Sequence, residues 1–481
     1  MIFSIFFSFV CGFLCLALKK ICNRKIKSAI VIAMQSVVTV AGIVTVLSET
    51  VATGKFNFAD GISIGFESDV TAKFFCVITV AAWLLVSVYA SVYMKHEKNE
   101  EIFYLFMFLS ESAMLGAAFA DGLITMYFFY ELVTLFSMPL VLHSGAAQSV
   151  AAAKKYLFYS VAGAFCALFG IFVLSQNTAT LDFVSGAYIE KVSPLVLAAV
   201  FVMCIGFGAK AGLFPLHGWL PTAHPVAPAP ASALLSGVIA KAGVLAIIRT
   251  VYFVVGADTV AGTWVQTTLL VLSLLTVIMG SAMAHREKIF KKRLAYSTVS
   301  QISYVLTGLF LFMPEGFEGA LWQILFHAAV KVGLFLCAGA VIYLYGITTV
   351  DELDGIGKKM PVTFICFTVL SLSLIGIPPL GGFFSKWYLA TASLSSTEIG
   401  ALSWIAPVVL LISALLTAGY LLPVTIKAFW SRKEDAGNVK AVKEPVLMTA
   451  PLVILSVVAF AGGIFSDKIG EILSHIVASM F

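Results

Sequence analysis

The feature that most constrains this chain is a recurrence. Apolar runs of roughly 17 to 25 residues follow one another from Ile2 to about Phe465, each long enough for a helix to cross a hydrocarbon core about 30 Å thick. In such a core every backbone N–H and C=O must be satisfied within the protein, and single runs of this length select the helix over the barrel strand. Composition agrees, since 60% of the 481 residues are hydrophobic and 11% are charged, which leaves no stretch for a soluble domain. The expected fold is all-α and polytopic. Hydropathy places about fourteen transmembrane spans, near 2–18, 28–48, 70–94, 102–120, 122–142, 152–176, 194–215, 229–255, 263–284, 293–313, 317–345, 361–377, 403–428 and 446–465. The first run lacks a basic leader and a small-residue cleavage site, so it reads as a retained helix.

Loop charges test that count. The strongly basic loops follow span 1 (Lys19, Lys20, Arg24, Lys25, Lys27), span 9 (Arg286, Lys288, Lys291, Lys292, Arg293) and span 13 (Lys427, Arg432, Lys433, Lys440, Lys443). Even-numbered loops carry Asp60, Glu67, Asp69, Asp121, Asp182, Glu190, Asp258, Glu315, Glu318 and Glu398. A span missed or invented midway would break this alternation. The positive-inside rule then makes the odd loops cytoplasmic and puts both termini outside a cell (inner or plasma) membrane. The net charge of +5 is an orientation signal, with no case for nucleic-acid binding.

The eight cysteines are scattered, mostly inside spans, without a C-x-x-C pair, and read as small packing residues. No phosphate-binding loop, dinucleotide fingerprint, nucleophile elbow or Cys/His cluster is present, so no cofactor and no metal site are expected. Any enzymatic activity would belong to a complex rather than to a site on this chain.

Removing the loop charges leaves Glu111, Glu131, Lys210, Lys241, Arg249, Lys331 and Lys386 inside the membrane, with His327 beside them. Each such group costs at least about 2.5–3.5 kcal/mol on insertion scales, so their number needs a reason. For Arg249 and Glu111, snorkelling or a structural ion pair competes with function. Glu131 in "MYFFYELVTLFSMPLV" and Lys210 in "CIGFGAKAGLFP" lie deep in theirs. In "QILFHAAVKVGLFLCAG", His327 and Lys331 stand four residues apart, so they share a helix face about 6 Å apart along the axis. A lone histidine there would read as a hydrogen-bonded core residue. Beside a lysine, an imidazole that accepts on one nitrogen and donates from the other suits a proton relay.

Two stretches interrupt the apolar pattern in the same way: "KAGLFPLHGWLPTAHPVAPAP", Lys210 to Pro230, and "SLIGIPPLGGFFSKWYLATAS", Ser373 to Ser393. Pro215 in the first, and Pro378 and Pro379 in the second, remove backbone donors inside what should be membrane helices, so spans 7 and 12 are expected to be broken. Broken backbone at membrane depth is tolerated where protein or a hydrated cavity resatisfies it. Paired interruptions in corresponding places mark internal repeats. Spans 7 and 12 are five apart, which predicts two five-helix repeats, spans 4–8 and 9–13; an odd helix number makes the copies inverted. The expected divisions are 1–101 (helices 1–3), 102–255 (first repeat), 256–430 (second repeat) and 431–481 (helix 14).

The strings "FFYELVTLFSMPLVLH", "AKAGLFPLHGWLPTAHPVAPAPASALLSGVIAKAGVLAIIR", "KKRLAYSTVSQISYVLTG", "LFHAAVKVGLFLCAG" and "LIGIPPLGGFFSKW" resemble the antiporter-like subunits shared by respiratory complex I, Mrp-type multisubunit cation/proton antiporters and membrane-bound hydrogenases. The resemblance runs from about Leu105 to Tyr420. It implies a fourteen-helix core with inverted repeats, the functional glutamate of helix 5 at Glu131, lysines of helices 7 and 8 at Lys210 and Lys241, the histidine of helix 11 at His327 and the ionisable residue of helix 12 at Lys386. A lysine at 386 resembles the Mrp D-type, the complex I N-type and the L-type subunits rather than the M-type, and the lack of a lateral helix and extra spans after span 14 is unlike the L-type and the Mrp A-type, so the Mrp D-type is the preferred label.

Together these readings predict a buried Glu/Lys/His axis. A lysine out of water holds its proton less firmly, and a nearby carboxylate counteracts this. With Glu131 close, Lys210 should stay charged; on separation its proton should pass to Lys241 and through His327 and water to Lys386. His217 and His224 flank the first break, where a bond to unwound backbone competes with proton uptake. Trp219 is expected to shape the break, and Thr298, Ser300 and Ser303 to pack helices. The function expected is a proton-translocating subunit of a multisubunit Na⁺/proton antiporter, with other membrane subunits and the lipid bilayer as partners. The alternative is the same module in a redox-driven pump of hydrogenase or complex I type. A self-sufficient transporter of an organic substrate fits poorly, because the buried groups form a chain rather than a pocket. Lysines repel Na⁺, so any Na⁺ path is expected in a partner.

Overall fold

The computed structural model describes residues 1–21, 23–59, 62–183, 189, 192–430 and 442–481. Of the charges used for orientation, Asp60, Glu190, Arg432, Lys433 and Lys440 lie outside the described residues.

The chain opens with α1 (Ile2–Ala17) and α2 (Arg24–Leu47), then a small antiparallel hairpin, β1 (Phe56–Ala59) with β2 (Ile62–Ile64). Helices α3 (Val70–Tyr93), α4 (Glu100–Ala118), α5 (Leu123–Leu142) and α6 (Ala147–Ser175) follow. The first interrupted region comprises α7 (Pro194–Ala211), α8 (Leu220–Val226), α9 (Ala229–Leu234) and α10 (Lys241–Ile248), closed by the short α11 (Ala257–Val260). After α12 (Trp264–Arg286), α13 (Phe290–Phe310) and α14 (Pro314–Tyr345), the second interruption separates α15 (Pro361–Ile375) from α16 (Gly382–Ser395). The described chain ends with α17 (Leu402–Trp430), α18 (Val446–Ile464) and α19 (Ser466–Ala478).

Among the described residues, twelve helical stretches are long and apolar enough to cross a membrane. Of the expected spans, the twelve leave out α13, which opens on Lys291, Lys292 and Arg293, and the broken pair α15 and α16. The protein is thus an all-α, multi-pass membrane protein. Its outer faces are apolar: Phe158, Phe165, Phe172, Leu411 and Leu415 are exposed along α6 and α17. The polar side chains are inside, where hydroxyl pairs such as Ser273 with Thr307 at 3.0 Å bridge neighbouring helices.

Local sequence sets the boundaries. Ser193 caps α7 by accepting from the Val196 N–H at 3.2 Å, with Pro194 in the first turn where its missing N–H is not needed. The breaks share one design. Gly212 (φ +86°) ends α7 and Gly376 (φ +93°) ends α15 in the left-handed region, and in each case a proline follows three residues later, Pro215 and Pro379. The span expected at 361–377 therefore continues past its break as α16. A second departure concerns the loop after α12. The basic run assigns Lys291 and Arg293 to that loop, but α13 begins at Phe290, so Lys291 is buried within a helix and Arg293 donates to the Tyr420 carbonyl at 3.0 Å.

Helix α7 is held at close range. A Cβ on Gly206 would lie 2.3 Å from the Gly163 carbonyl oxygen, and one on Gly163 would lie 2.4 Å from that of Gly206, so α6 and α7 touch backbone to backbone one turn before Lys210. We expect Gly206→Ala to force the pair apart at a cost of about 1–3 kcal/mol. Thermal unfolding of the purified protein checks this, and an unchanged midpoint would contradict the contact.

Candidate functional site

Four lysine side chains are buried among the described residues, Lys210, Lys241, Lys291 and Lys331 in α7, α10, α13 and α14, and a fifth, Lys386 in α16, is part-buried. None forms an ion pair with a carboxylate within 4.0 Å. An enclosed ammonium without a counter-ion carries a desolvation penalty of several kcal/mol. Each is met by a backbone carbonyl: Lys210 by Tyr130 at 3.3 Å, Lys241 by Ser236 at 3.0 Å, Lys331 by Leu294 at 3.0 Å, Lys386 by Leu374 at 2.6 Å, and Lys291 by Ala227. Three of these carbonyls stand where regular helix is interrupted. Ala227 lies between α8 and α9, Leu374 in the last turn before the second break, and Ser236 in the π-helical segment Leu235–Ile239. Interruptions of this kind leave carbonyl lone pairs for other donors.

Lys210 also donates to Thr134 Oγ1 at 2.6 Å and lies 4.4 Å from the Tyr130 ring centroid. Glu131 is the next residue along α5, half-buried, and its Oε1 has no partner among the described residues. Lys210 and Glu131 are therefore near one another without forming an ion pair within 4.0 Å: Lys210 is hydrogen-bonded by Tyr130 and Thr134 of α5 instead.

Helices α7 and α10 meet closely, since a Cβ on Gly243 would lie 2.3 Å from the Phe207 carbonyl oxygen. Lys210 and Lys241 flank that contact with no direct hydrogen bond between them among the described residues. Lys241 Nζ lies 2.7 Å from His327 Nδ1. If the lysine donates, the neutral ring carries its proton on Nε2, which is buried and has no protein partner. A small cavity follows, lined by His327, Gln301, Gln323, Ser373, Leu374 and Lys386 among others. It has room for about one water molecule, which needs two to four polar partners. Gln301 Nε2, Ser373 Oγ and His327 Nε2 are all unpartnered around it. Lys386 continues on the far side, 5.5 Å from the Tyr304 ring centroid.

The residues singled out by sequence divide accordingly. Lys241 and His327 are in direct contact, His327 and Lys386 line one small cavity, and Glu131 lies on α5 next to the Tyr130 and Thr134 groups that bond Lys210. Lys331 shares its helix with His327, but their side chains diverge: the histidine meets Lys241, whereas Lys331 donates to Ser297 Oγ at 2.7 Å, itself bonded by the Tyr420 hydroxyl at 2.8 Å. His224 is buried against Phe335, ring centroids 4.6 Å apart, and neither ring nitrogen has a partner among the described residues. It does not bond the unwound backbone through its ring. His217 is half-buried and stacked on Phe214. Trp219 donates to the Ala209 carbonyl at 2.9 Å, tying the break back to α7. Arg249 pairs with Asp69 and donates to the Ala118 carbonyl at 3.3 Å, which is the structural ion pair among the readings open for it. Glu111 neither snorkels nor pairs with a cation; it is enclosed by Ser8 and Gln35. Thr298 and Ser300 bridge helices, to Ser236 at 2.7 Å and Ser281 at 2.8 Å, whereas Ser303 Oγ has no partner among the described residues. Thr134, Ser236, Gln301, Gln323 and Tyr420 complete the band without having been singled out, because nothing local distinguishes them from packing residues.

Residues 120–417 match the family model described as "NADH:quinone oxidoreductase/Mrp antiporter, TM". The chain belongs to this family. It is 35% identical over 413 residues to the N-type subunit of the NADH-quinone oxidoreductase of Desulforudis audaxviator, covering 82% of this chain and 80% of that protein. It is 29% identical over 409 residues to the D-type subunit of the Na(+)/H(+) antiporter of Alkalihalophilus pseudofirmus, covering 84% and 81%. A chain of the Mrp complex from Dietzia sp. DQ12-45-1b shares the fold, with a TM-score of 0.84 at 23% identity over 99% of this chain and 97% of that one. The protein is accordingly an antiporter-like membrane module, and its buried band lies within the matched family region.

We expect a high-resolution cryo-EM map to show one ordered water within hydrogen-bonding distance of His327 Nε2 and Gln301 Nε2. A dry cavity, or one filled by a rearranged Gln301, would remove the link between His327 and Lys386.

Proposed function

We propose that this protein is the proton-translocating subunit of a multisubunit Na⁺/proton antiporter, moving protons along the Glu131, Lys210, Lys241, His327 and Lys386 axis. The observation that carries this reading is the direct Lys241–His327 contact, continued toward Lys386 by a cavity of about one water. A proton leaving Lys241 enters His327 at Nδ1 while the ring releases another from Nε2, so the imidazole passes charge without turning over. Glu131 acts as the switch: when its carboxylate pairs with Lys210 the ammonium is retained, and when they are unpaired, as in this arrangement, Lys210 depends on neutral partners and gives up its proton more readily. Lys331, His217 and His224 are auxiliary stations in this scheme.

The same reading treats residues 102–255 (α4 through α10) and 256–430 (α11 through α17) as inverted repeats, within a fourteen-helix count in which each broken helix serves as one span. The recurring left-handed glycine three residues before a proline supports it. Both termini face outward from the cell membrane, and the odd loops face the cytoplasm. No carboxylate cage accompanies the lysines, so Na⁺ is assigned to partner subunits.

A second reading, the same module in a redox-driven pump, is favoured by the higher identity to the NADH-quinone oxidoreductase relative. Gentle solubilisation of the tagged protein from native membranes, followed by mass spectrometry of co-purifying chains, separates the two. Small hydrophobic subunits alone mean the antiporter; iron–sulfur or hydrogenase subunits mean the pump.

In the assembled complex, Lys210→Ala and Glu131→Ala should each lower coupled ion movement by about tenfold or more, equivalent to ~1.4 kcal/mol in the limiting step, without loss of assembly. Wild-type transport by both variants in proteoliposomes would defeat the axis.

A further inference from the structure

Glu111 is the one intramembrane carboxyl that the proposed axis does not use. It lies in α4 and is fully enclosed, as are both side chains that touch it: Ser8 from α1 and Gln35 from α2. Ser8 Oγ is 2.9 Å from Glu111 Oε2, and Gln35 Nε2 donates to Oε1 at 2.6 Å. The titratable groups facing it are the buried thiols of Cys11 in α1 and Cys76 in α3. Helices α5 and α10 also pack on α4 and carry Glu131 and Lys241, and neither they nor any other described residue forms an ion pair with Glu111 within 4.0 Å.

Counting protons assigns its state. A serine hydroxyl has one hydrogen to give, yet Ser8 Oγ stands 2.9 Å from two acceptors, Glu111 Oε2 and the Phe108 carbonyl oxygen. With an ionised Glu111, one of these contacts is acceptor against acceptor, and an enclosed anion is left with two neutral donors at most, an arrangement that costs several kcal/mol. With Glu111 as a carboxylic acid each of the three contacts pairs one donor with one acceptor, and only Gln35 Oε1 is left without a partner among the described residues. Oε2–H donates to Ser8 Oγ, Ser8 donates to the Phe108 carbonyl, and Gln35 donates to Oε1.

We propose that Glu111 is a proton-binding site separate from the lysine axis, occupied in this arrangement, at which one bound proton links α1 and α2 to α4. Loss of that proton breaks the Ser8 relay and leaves a charge that neither α1 nor α2 can neutralise, so occupancy of the site and packing of the two N-terminal helices are coupled. The inference stands on these three helices alone and does not depend on what the lysine axis carries.

Infrared spectroscopy of the complex purified from native membranes tests it. At neutral pH the wild type should show a carboxylic-acid C=O band that shifts on exchange into D₂O. Glu111→Gln, of the same shape and still able to meet Ser8 and Gln35, should lose that band, whereas Glu131→Gln should keep it. Ser8→Ala should retain the band but move its frequency, since the O–H partner is gone. This second variant keeps the test decisive if Glu111→Gln assembles poorly. A band unchanged in Glu111→Gln, or a Ser8→Ala spectrum identical to wild type, would overturn the assignment. So would loss of the band on addition of Na⁺ at fixed pH, which would make the site one for a cation.

Discussion

The structure depends on one constraint: ammonium groups are held in a low-dielectric interior with no salt-bridged carboxylate among the described residues. Hydrophobic surroundings alone would make such groups prohibitively expensive, and pairing each with an acid would fix its charge permanently. The protein adopts an intermediate solution. Every buried lysine is met by a backbone carbonyl, a dipole that stabilises the charged form without locking it in place. Regular helix has few carbonyls to spare, and for Lys241, Lys291 and Lys386 the carbonyl comes from an interruption, whereas Lys210 and Lys331 draw on Tyr130 and Leu294 within α5 and α13. For the first three, interruption and buried charge are two halves of the same device.

That device is partly legible in the sequence because half of it is local. Gly212 with Pro215, and Gly376 with Pro379, break helices through their own backbone preferences, and Lys210 and Lys386 stand out against apolar neighbours. The other half is tertiary. Thr134 reaches Lys210 from α5, and Gln301 and Gln323 reach the cavity from α13 and α14. Hydroxyl and amide side chains also serve as ordinary glue between membrane helices, so spacing along the chain does not single them out. Glu111 stands out in the sequence as an intramembrane carboxyl, but its enclosure is not readable there because Ser8 of α1 and Gln35 of α2 create it. Lys291 reads as a loop residue because it sits in a basic run, and only the start of α13 at Phe290 turns its side chain inward.

The divergence of His327 and Lys331 shows how far a helical-face argument reaches. Four-residue spacing places both on one side of α14, as expected. Which neighbour each meets is set by the helices packed there. His327 meets α10, whose Lys241 is presented by the π-helical turn, whereas Lys331 meets α13 at Ser297. The band therefore has a main line and a side branch, a distinction that periodicity does not contain.

The unpaired arrangement of Glu131 and Lys210 bears on how such a band can be driven. A permanent ion pair would hold the proton on Lys210 against its neighbours, and a permanently distant carboxylate would give no control. Here Lys210 is satisfied by Thr134 and Tyr130, while Glu131 keeps one oxygen unpartnered on the same helix. Two arrangements with similar hydrogen-bond satisfaction are what a switch requires, because the free-energy gap between them can then be tipped by a modest differential interaction. In the proposed scheme, whatever repositions α5 relative to α7 would supply that difference.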